Sequence, residues 1–199
     1  MIIELDDLTI RDVYKLLSGS VVPRPIAWVS TVSRDGIRNL APFSFFTVAS
    51  WNPPTLCFSI GPGVNETRAG PKDTLVNIQE TRQFVVNVVT YPLAEQMQRS
   101  SANFAPEVDE FEVAGVTPVA GRRVAAPRVL EAPIQMECEL DRIVEVGANH
   151  LVLGRLVCYH IRDDCYLGDC KVDIKKLQPV GRLAGNYVKI DTFFELPIA

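Results

Sequence analysis

Three observations predict a mainly β fold, an antiparallel β-barrel with a few flanking helices. Runs rich in β-branched and aromatic residues recur from Val21 to Ile161. Turn signals separate several of them at hairpin distance, the clearest being Ser33-Arg34-Asp35-Gly36 and Gly147-Ala148-Asn149. The helical patterns are short and interrupt strands instead of alternating with them, which favours antiparallel pairing over βαβ units. At 199 residues and 47% hydrophobic content the chain can bury one sizeable core and is short for two. No repeat, low-complexity tract or linker divides it, so residues 1–199 are expected to form a single domain.

The elements are expected in this order. Thr9 to Ser18 forms a helix with Ile10, Val13, Leu16 and Leu17 on one packing face, ended by Gly19 in a left-handed conformation. From Val21 to Ser50 two strands make a hairpin around the Ser33–Gly36 turn. "TLCFSIGP" is a third strand, closed by Gly61-Pro62-Gly63, and Pro53-Pro54 sets the turn into it. "KDTLVNIQETRQ" is a short helix with Asp73 or Thr74 capping its first turn. "QFVVNVVT" is a continuous apolar strand, buried on both faces. A helix begins at Pro92, and the proline-punctuated stretch 104–133 reads as turns passing over the barrel surface. Two long strands joined at 147–149 follow, and the tail ends in a short strand or arm, for six or seven strands and three helices in all.

Composition excludes several partners. A net charge of −4 with no Lys/Arg run argues against nucleic acid or an anionic membrane surface. No stretch approaches the roughly 18 apolar residues of a membrane helix, and the acidic start lacks the features of a signal peptide. A soluble protein of the cytoplasm is therefore expected. Five cysteines without a secretion signal suit reduced thiols better than a disulfide framework. Cys158, His160, Cys165 and Cys170 lack the short paired spacings of a metal site, so no metal is expected.

The chemistry-bearing features are few. GxSxG, HExxH and GxxxxGK[ST] are absent, which weighs against hydrolysis and nucleoside triphosphate chemistry. "GPKDTLVNI" places Lys72 before the outward-pointing amides of a helix N-terminus, with Thr74 and Asn77 close by, an arrangement that suits a phosphate and equally suits an ordinary capped helix. In "NLAPFSFF", Pro42 lacks the N–H a ladder needs, so the strand is expected to break there. Its freed backbone groups would then pair with the rim of a planar heterocycle, or the proline would simply protect an edge strand. His150 opens a strand after a turn, where an imidazole can exchange protons or merely face solvent. His160 is given no role.

Taken in order, "PRPIAWVST", "DGIRNLAPFSFFTVAS", "NPPTLCFSI", "KDTLVNI", "FVVNVV", "GANHLVLGRLV" and "PVGRLAGNYV" span nearly the whole chain and resemble the flavin reductase-like, FMN-binding split-barrel family. That family includes flavoredoxin and the reductase components of two-component flavin monooxygenases. The resemblance implies a six-stranded antiparallel Greek-key split barrel, and a homodimer with flavin near the interface. It implies FMN, with FAD possible, NAD(P)H as co-substrate, and an acceptor such as a partner oxygenase. By position it implies that Asn39, Leu40, Ala41, Pro42, Phe43 and Ser44 line the isoalloxazine, with Ser59, Ile60 and Gly61 beside them. Lys72, Asp73, Thr74 and Asn77 hold the phosphate end; Asp73, a carboxylate, suits capping or fixing Lys72. His150 and Tyr187 border the flavin or nicotinamide, His150 also being the candidate proton donor.

The expected function is accordingly an FMN-dependent oxidoreductase moving hydride from NAD(P)H to flavin. An FMN electron carrier without nicotinamide turnover is the alternative, and a haem or deazaflavin binder a third reading. The variable segment 88–111 does not choose between NADH and NADPH, and Arg122 and Arg123 do not settle it.

Overall fold

The computed structural model describes residues 1–62 and 70–197. Gly63, expected to help close the third strand, lies outside them. Helix α1 spans Ile10–Ser20, with Thr9 as its N-cap accepting the Asp12 N–H at 3.2 Å. Gly19 does not end it: the helix continues to Ser20 and closes with the Val21 N–H on the Leu17 carbonyl at 3.0 Å. The expected packing role is not met within the chain, since Ile10 is 91% and Leu17 55% exposed.

Strands β1 (Ala27–Val32) and β2 (Arg38–Phe43) form the expected hairpin, with Gly36 at φ +85° in its turn. The run expected as one strand to Ser50 is two. After Ser44 and Phe45 the chain crosses to the other end of the sheet as β3 (Phe46–Trp51), which pairs with β4 (Pro54–Ile60). Pro53-Pro54 does set a return turn, beside β3 instead of β2.

Next come α2 (Asp73–Thr81), β5 (Gln83–Val88) and α3 (Ala94–Arg99), the last preceded by a 3-10 turn, Tyr91–Leu93, that contains Pro92. The segment expected as turns alone holds α4 (Glu110–Ala114) and a small pair, β6 (Pro118–Val119) with β7 (Arg128–Val129). Asp109 caps α4 by accepting the Phe111 N–H at 3.0 Å, and Gly115 stops it at φ +70°. The long hairpin is β8 (Ile134–Val146) and β9 (Asn149–Ile161), turning at Gly147 with φ +57°. Helix α5 (Ile174–Leu177) and the pair β10 (Val180–Arg182) and β11 (Tyr187–Lys189) complete the chain.

The main sheet has seven strands in the order β2-β1-β5-β8-β9-β4-β3, every neighbouring pair antiparallel. That is one strand more than the family resemblance implied, because the 38–50 run divides at Ser44-Phe45. From β4 the chain crosses through α2 to β5 on the far side of the sheet, a Greek-key type of connection. The sheet curls until Phe43 of β2 meets Phe58 of β4 at 5.2 Å between ring centroids. The Ser59 N–H also donates to the Phe45 carbonyl at 2.8 Å. The result is a barrel left open between its two edge strands.

Its interior is filled by Ala27, Val29, Phe43, Phe58, Phe84, Val86 and Val152, with Leu75 and Ile78 of α2 packed in. Phe84 and Val86 face this core while Val85 faces a separate cluster, so β5 is buried on both faces as its apolar run predicts. A further cluster outside the barrel gathers Trp28, Leu40, Met97 and Phe111. Trp28 Nε1 donates to Ser100 Oγ at 2.9 Å and fixes the end of α3.

Gly154 sits where a β-carbon would lie 2.2 Å from Phe84 Cζ. Gly154→Ala is expected to cost about 1–3 kcal/mol by overpacking, read as a lower denaturant midpoint at unchanged m-value. The five cysteines are free, and burial pushes the Cys57, Cys138 and Cys165 thiols up, away from the reactive thiolate.

Candidate functional site

The site is built on β2, and its geometry turns on Pro42. Pairing with β1 runs without interruption from Val32↔Arg38 to Ala27↔Phe43, so the expected break at Pro42 does not occur. Backbone donors alternate along a strand, and the Leu40 N–H points away from β1, to Glu110. Pro42, two residues on, therefore has its missing donor on the open edge, where the ladder loses nothing. Three clefts meet at this proline.

The largest has a volume of about 720 Å³ and is mostly apolar. Pro42, Phe43, Ser44 and Phe45 form one side, Ser59 and Gly61 the next, and Ile10 and Tyr14 of α1 the lip. Asn149 Nδ2 donates to Ser59 Oγ at 3.0 Å and adds a polar rim. Tyr14 and Phe45 rings lie 6.3 Å apart. The volume falls within the roughly 300–1,000 Å³ usual for small-molecule sites, and flat apolar walls with few polar groups suit a planar ring system.

On the other side of Pro42 lies a polar cleft, lined by Ala41, Lys72, Asp73, Thr74, Ser100 and Ser101 among others. The first turn of α2 opens onto it. Lys72 is the N-cap residue of α2, a position expected for Asp73 or Thr74, and its Nζ lies 5.6 Å from the Phe43 ring centroid. One cation thus stands at the junction of the apolar slot and the polar cleft.

Several expected binding side chains serve the scaffold instead. Glu110 is buried, and one of its carboxylate oxygens accepts from Asn39 Nδ2 at 2.6 Å and from the Leu40 N–H at 2.5 Å. Asn39 Oδ1 accepts from Thr74 Oγ1 at 2.8 Å and Thr31 Oγ1 at 3.1 Å, and Asn77 Nδ2 donates to Thr31 Oγ1 at 3.0 Å. Thr74 therefore directs its single proton to Asn39 and is not a phosphate donor here. Asn77 faces Thr31 and the wall of a neighbouring cleft with Ser33 and Asp35. The side chains of Leu40 and Ile60 are wholly buried in the two cores, leaving only their backbone near the site.

His150 is placed away from the slot. Residues directly opposite on paired strands share a face, and His150 pairs with Ile60, a core residue, two positions from buried Val152. Ser59, Gly61 and Asn149 face the other way. The residue of this hairpin that reaches the slot is Asn149, one position earlier. His150 Nδ1 is buried without a hydrogen-bond partner among the described residues. Tyr187 borders the third cleft with Pro42 and Ser44; its hydroxyl donates to Gln98 Oε1 at 2.6 Å and Arg182 stacks on its ring at 4.5 Å.

Sequence reasoning missed Glu110, Asn149, the serines at the end of α3 and Arg24. Arg24 is buried, donating to the carbonyls of Ser18, Val21 and Leu183 at 2.6–2.8 Å, and so ties α1 and the C-terminal segment to the stretch that leads into β1. Glu110 had a legible signal in Asp109 and Gly115, a cap and a stop that bracket five residues. Arg24 had none, since carbonyl partners leave no pattern.

Fold and clefts together define an open antiparallel barrel with a planar-ring slot beside a polar cleft that holds Lys72. The chain belongs to the flavin reductase-like family: residues 18–172 match the family model described as "Flavin reductase like domain". It is similar to an uncharacterized protein of Aquifex aeolicus, 44% identical over 87% of each chain. Among solved structures it is similar to nitrilotriacetate monooxygenase component B from Bacillus cereus, with 35% identity, 98% of each chain covered and a TM-score of 0.93. The 2-nitrobenzoate 2-nitroreductase NbaA of Pseudomonas fluorescens is 32% identical, covering 100% of this chain and 96% of its own, with a TM-score of 0.88.

Proposed function

We propose that the protein is an FMN-binding oxidoreductase that takes reducing equivalents from NAD(P)H and passes them to an acceptor. The observation that carries this reading is the junction at Pro42, where a flat apolar slot of about 720 Å³ meets a polar cleft headed by Lys72. FMN, when bound, supplies the hydride-accepting chemistry. Phe43, Phe45 and the β4 edge at Ser59–Gly61 hold the ring; Ser59 and Asn149 supply polar contacts at its rim. Lys72 and the first turn of α2 hold the phosphate; Ser100 and Ser101 line the cleft, but their hydroxyls donate to the Met97 and Gln98 carbonyls. Tyr14 and Tyr187 flank the open side, the approach for a nicotinamide. No side chain is required as acid or base, and His150, on the other face of β9, is not assigned one.

NADH or NADPH oxidation with FMN present, above the background of free flavin, is the expected result. A yellow protein that consumes neither nucleotide would instead be an electron carrier. The relatives of known structure carry the names of a monooxygenase component and a nitroreductase, so the acceptor is assigned only as an oxygenase partner or a small oxidised molecule.

A second copy of the chain completes the assembly in this proposal. Ile10, Tyr14 and Leu17 of α1, with Val48 and Trp51 of β3, leave apolar area uncovered, Trp51 being 88% exposed. Light scattering is expected to give twice the 22.1 kDa chain mass, and a monomer at micromolar concentration would contradict it. No helix among the described residues is long and apolar enough to cross a membrane. Reduced, free cysteines fit work in the cytoplasm.

A further inference from the structure

Glu137 on β8 and Cys158 and His160 on β9 bring a carboxylate, a thiol and an imidazole together on the outer face of the barrel, their ligand atoms all within 4.8 Å of one another. Strand pairing explains the meeting: Glu137 lies opposite Cys158, and His160 is one strand repeat further on the same face. We propose that these three side chains form a zinc site.

The geometry is close to what zinc needs. With Zn–S near 2.3 Å and Zn–N near 2.0 Å, a tetrahedral shell separates sulfur and nitrogen by about 3.5 Å; Cys158 Sγ and His160 Nε2 stand 3.4 Å apart. His160 Nε2 and Glu137 Oε1 are at 2.5 Å, and this edge must widen to roughly 3.3 Å to admit the ion. Rotation of His160, whose side chain is 22% exposed, provides both that movement and an entry path. Water takes the fourth position.

Glu137 is already oriented as a ligand. It is fully buried, and the backbone N–H groups of Arg122, Arg123 and Val124 donate to it at 2.6–3.1 Å. Arg128, 3.9 Å from Glu137 Oε1, donates to the Ala120 carbonyl and to Gln135 Oε1 and stays there. On binding, the Cys158 thiol loses its proton to solvent. The Nε2 proton of His160 passes to Nδ1 if the ring is neutral, or to solvent if it is charged. Thiolate and carboxylate then neutralise the dication. The ion would pin the 122–124 loop to β9 through Glu137. Sequence spacing alone hid the site, because one ligand comes from the neighbouring strand.

Cobalt(II) titration of the reduced, metal-free full-length protein tests this. One equivalent is expected to bind with a thiolate-to-cobalt charge-transfer band in the near ultraviolet, displaced by zinc. Cys158→Ser is expected to abolish the band, His160→Gln to weaken binding at least tenfold, and Cys170→Ser, at the exposed cysteine, to change nothing. In the unaltered protein, zinc is expected to protect Cys158 from alkylation, followed by mass spectrometry, which keeps the test independent of how the variants fold. No thiolate band, a band that survives Cys158→Ser or disappears with Cys170→Ser, or alkylation of Cys158 at the same rate with zinc would each overturn the proposal.

Discussion

Replacing Glu110 with alanine is expected to lower the stability of the protein by about 2–6 kcal/mol, since two buried donors, Asn39 Nδ2 and the Leu40 N–H, lose their acceptor at about 1–3 kcal/mol each. For a chain of 199 residues that corresponds to a fall in Tm of roughly 5 to 20 °C. Glu110→Gln separates this account from a mere volume effect. One glutamine oxygen can accept both bonds, because a single carboxylate oxygen accepts both now, so Glu110→Gln is expected to retain most of the stability. Equal loss in the two variants would show that the acceptor role is wrong. The consequence reaches the site, because Asn39 and Leu40 precede the Pro42 junction on β2 and Asn39 is also the acceptor for Thr74 at the start of α2.

Lys72→Ala carries the second large effect. A charge-assisted hydrogen bond to phosphate is worth about 1.5–3 kcal/mol, so FMN is expected to bind roughly 10 to 150 times more weakly. Riboflavin, which keeps the ring and loses the phosphate, is expected to bind the variant nearly as well as the unaltered protein. Equal losses for the two ligands would move Lys72 from the phosphate end to the ring, where its ammonium already lies over Phe43. Thr74→Ala is expected to act on stability instead, as its hydroxyl donates to Asn39. Measuring both variants by fluorescence titration separates the scaffold from the binding surface.

The strands were legible because their signals are local. Period-two patterns, the Gly36 and Gly147 turns and the apolar run of β5 each depend on residues within one or two hairpins. The division of the 38–50 run was not legible, because it depends on where Ser44 and Phe45 carry the chain across the barrel, a three-dimensional constraint with no turn residue to mark it. Likewise the apolar stripe of α1 reads as a packing face, yet within one chain it covers almost nothing.

At the site, motif order located the right strands and helix but not the direction of each side chain. A one-residue difference on a strand reverses its face, which is why Asn149 and not His150 reaches the slot. Polar residues near a helix N-terminus look alike in sequence whether they bind a ligand or one another. Thr74 lines the cleft but gives its proton to Asn39, and Asn77 donates to Thr31, whereas the Lys72 cation stands at the mouth of the cleft beside Phe43. Asn39 joined its network through Glu110, seventy-one residues away, a distance no local pattern spans.

Titration of the purified protein with FMN, followed by quenching of flavin fluorescence, tests the central claim most directly. The account predicts saturable quenching at one FMN per chain, with a perturbed visible absorption spectrum as the ring leaves water for the Phe43–Phe45 and Ser59–Gly61 walls. Unquenched fluorescence and an unchanged spectrum at protein concentrations well above micromolar would contradict it.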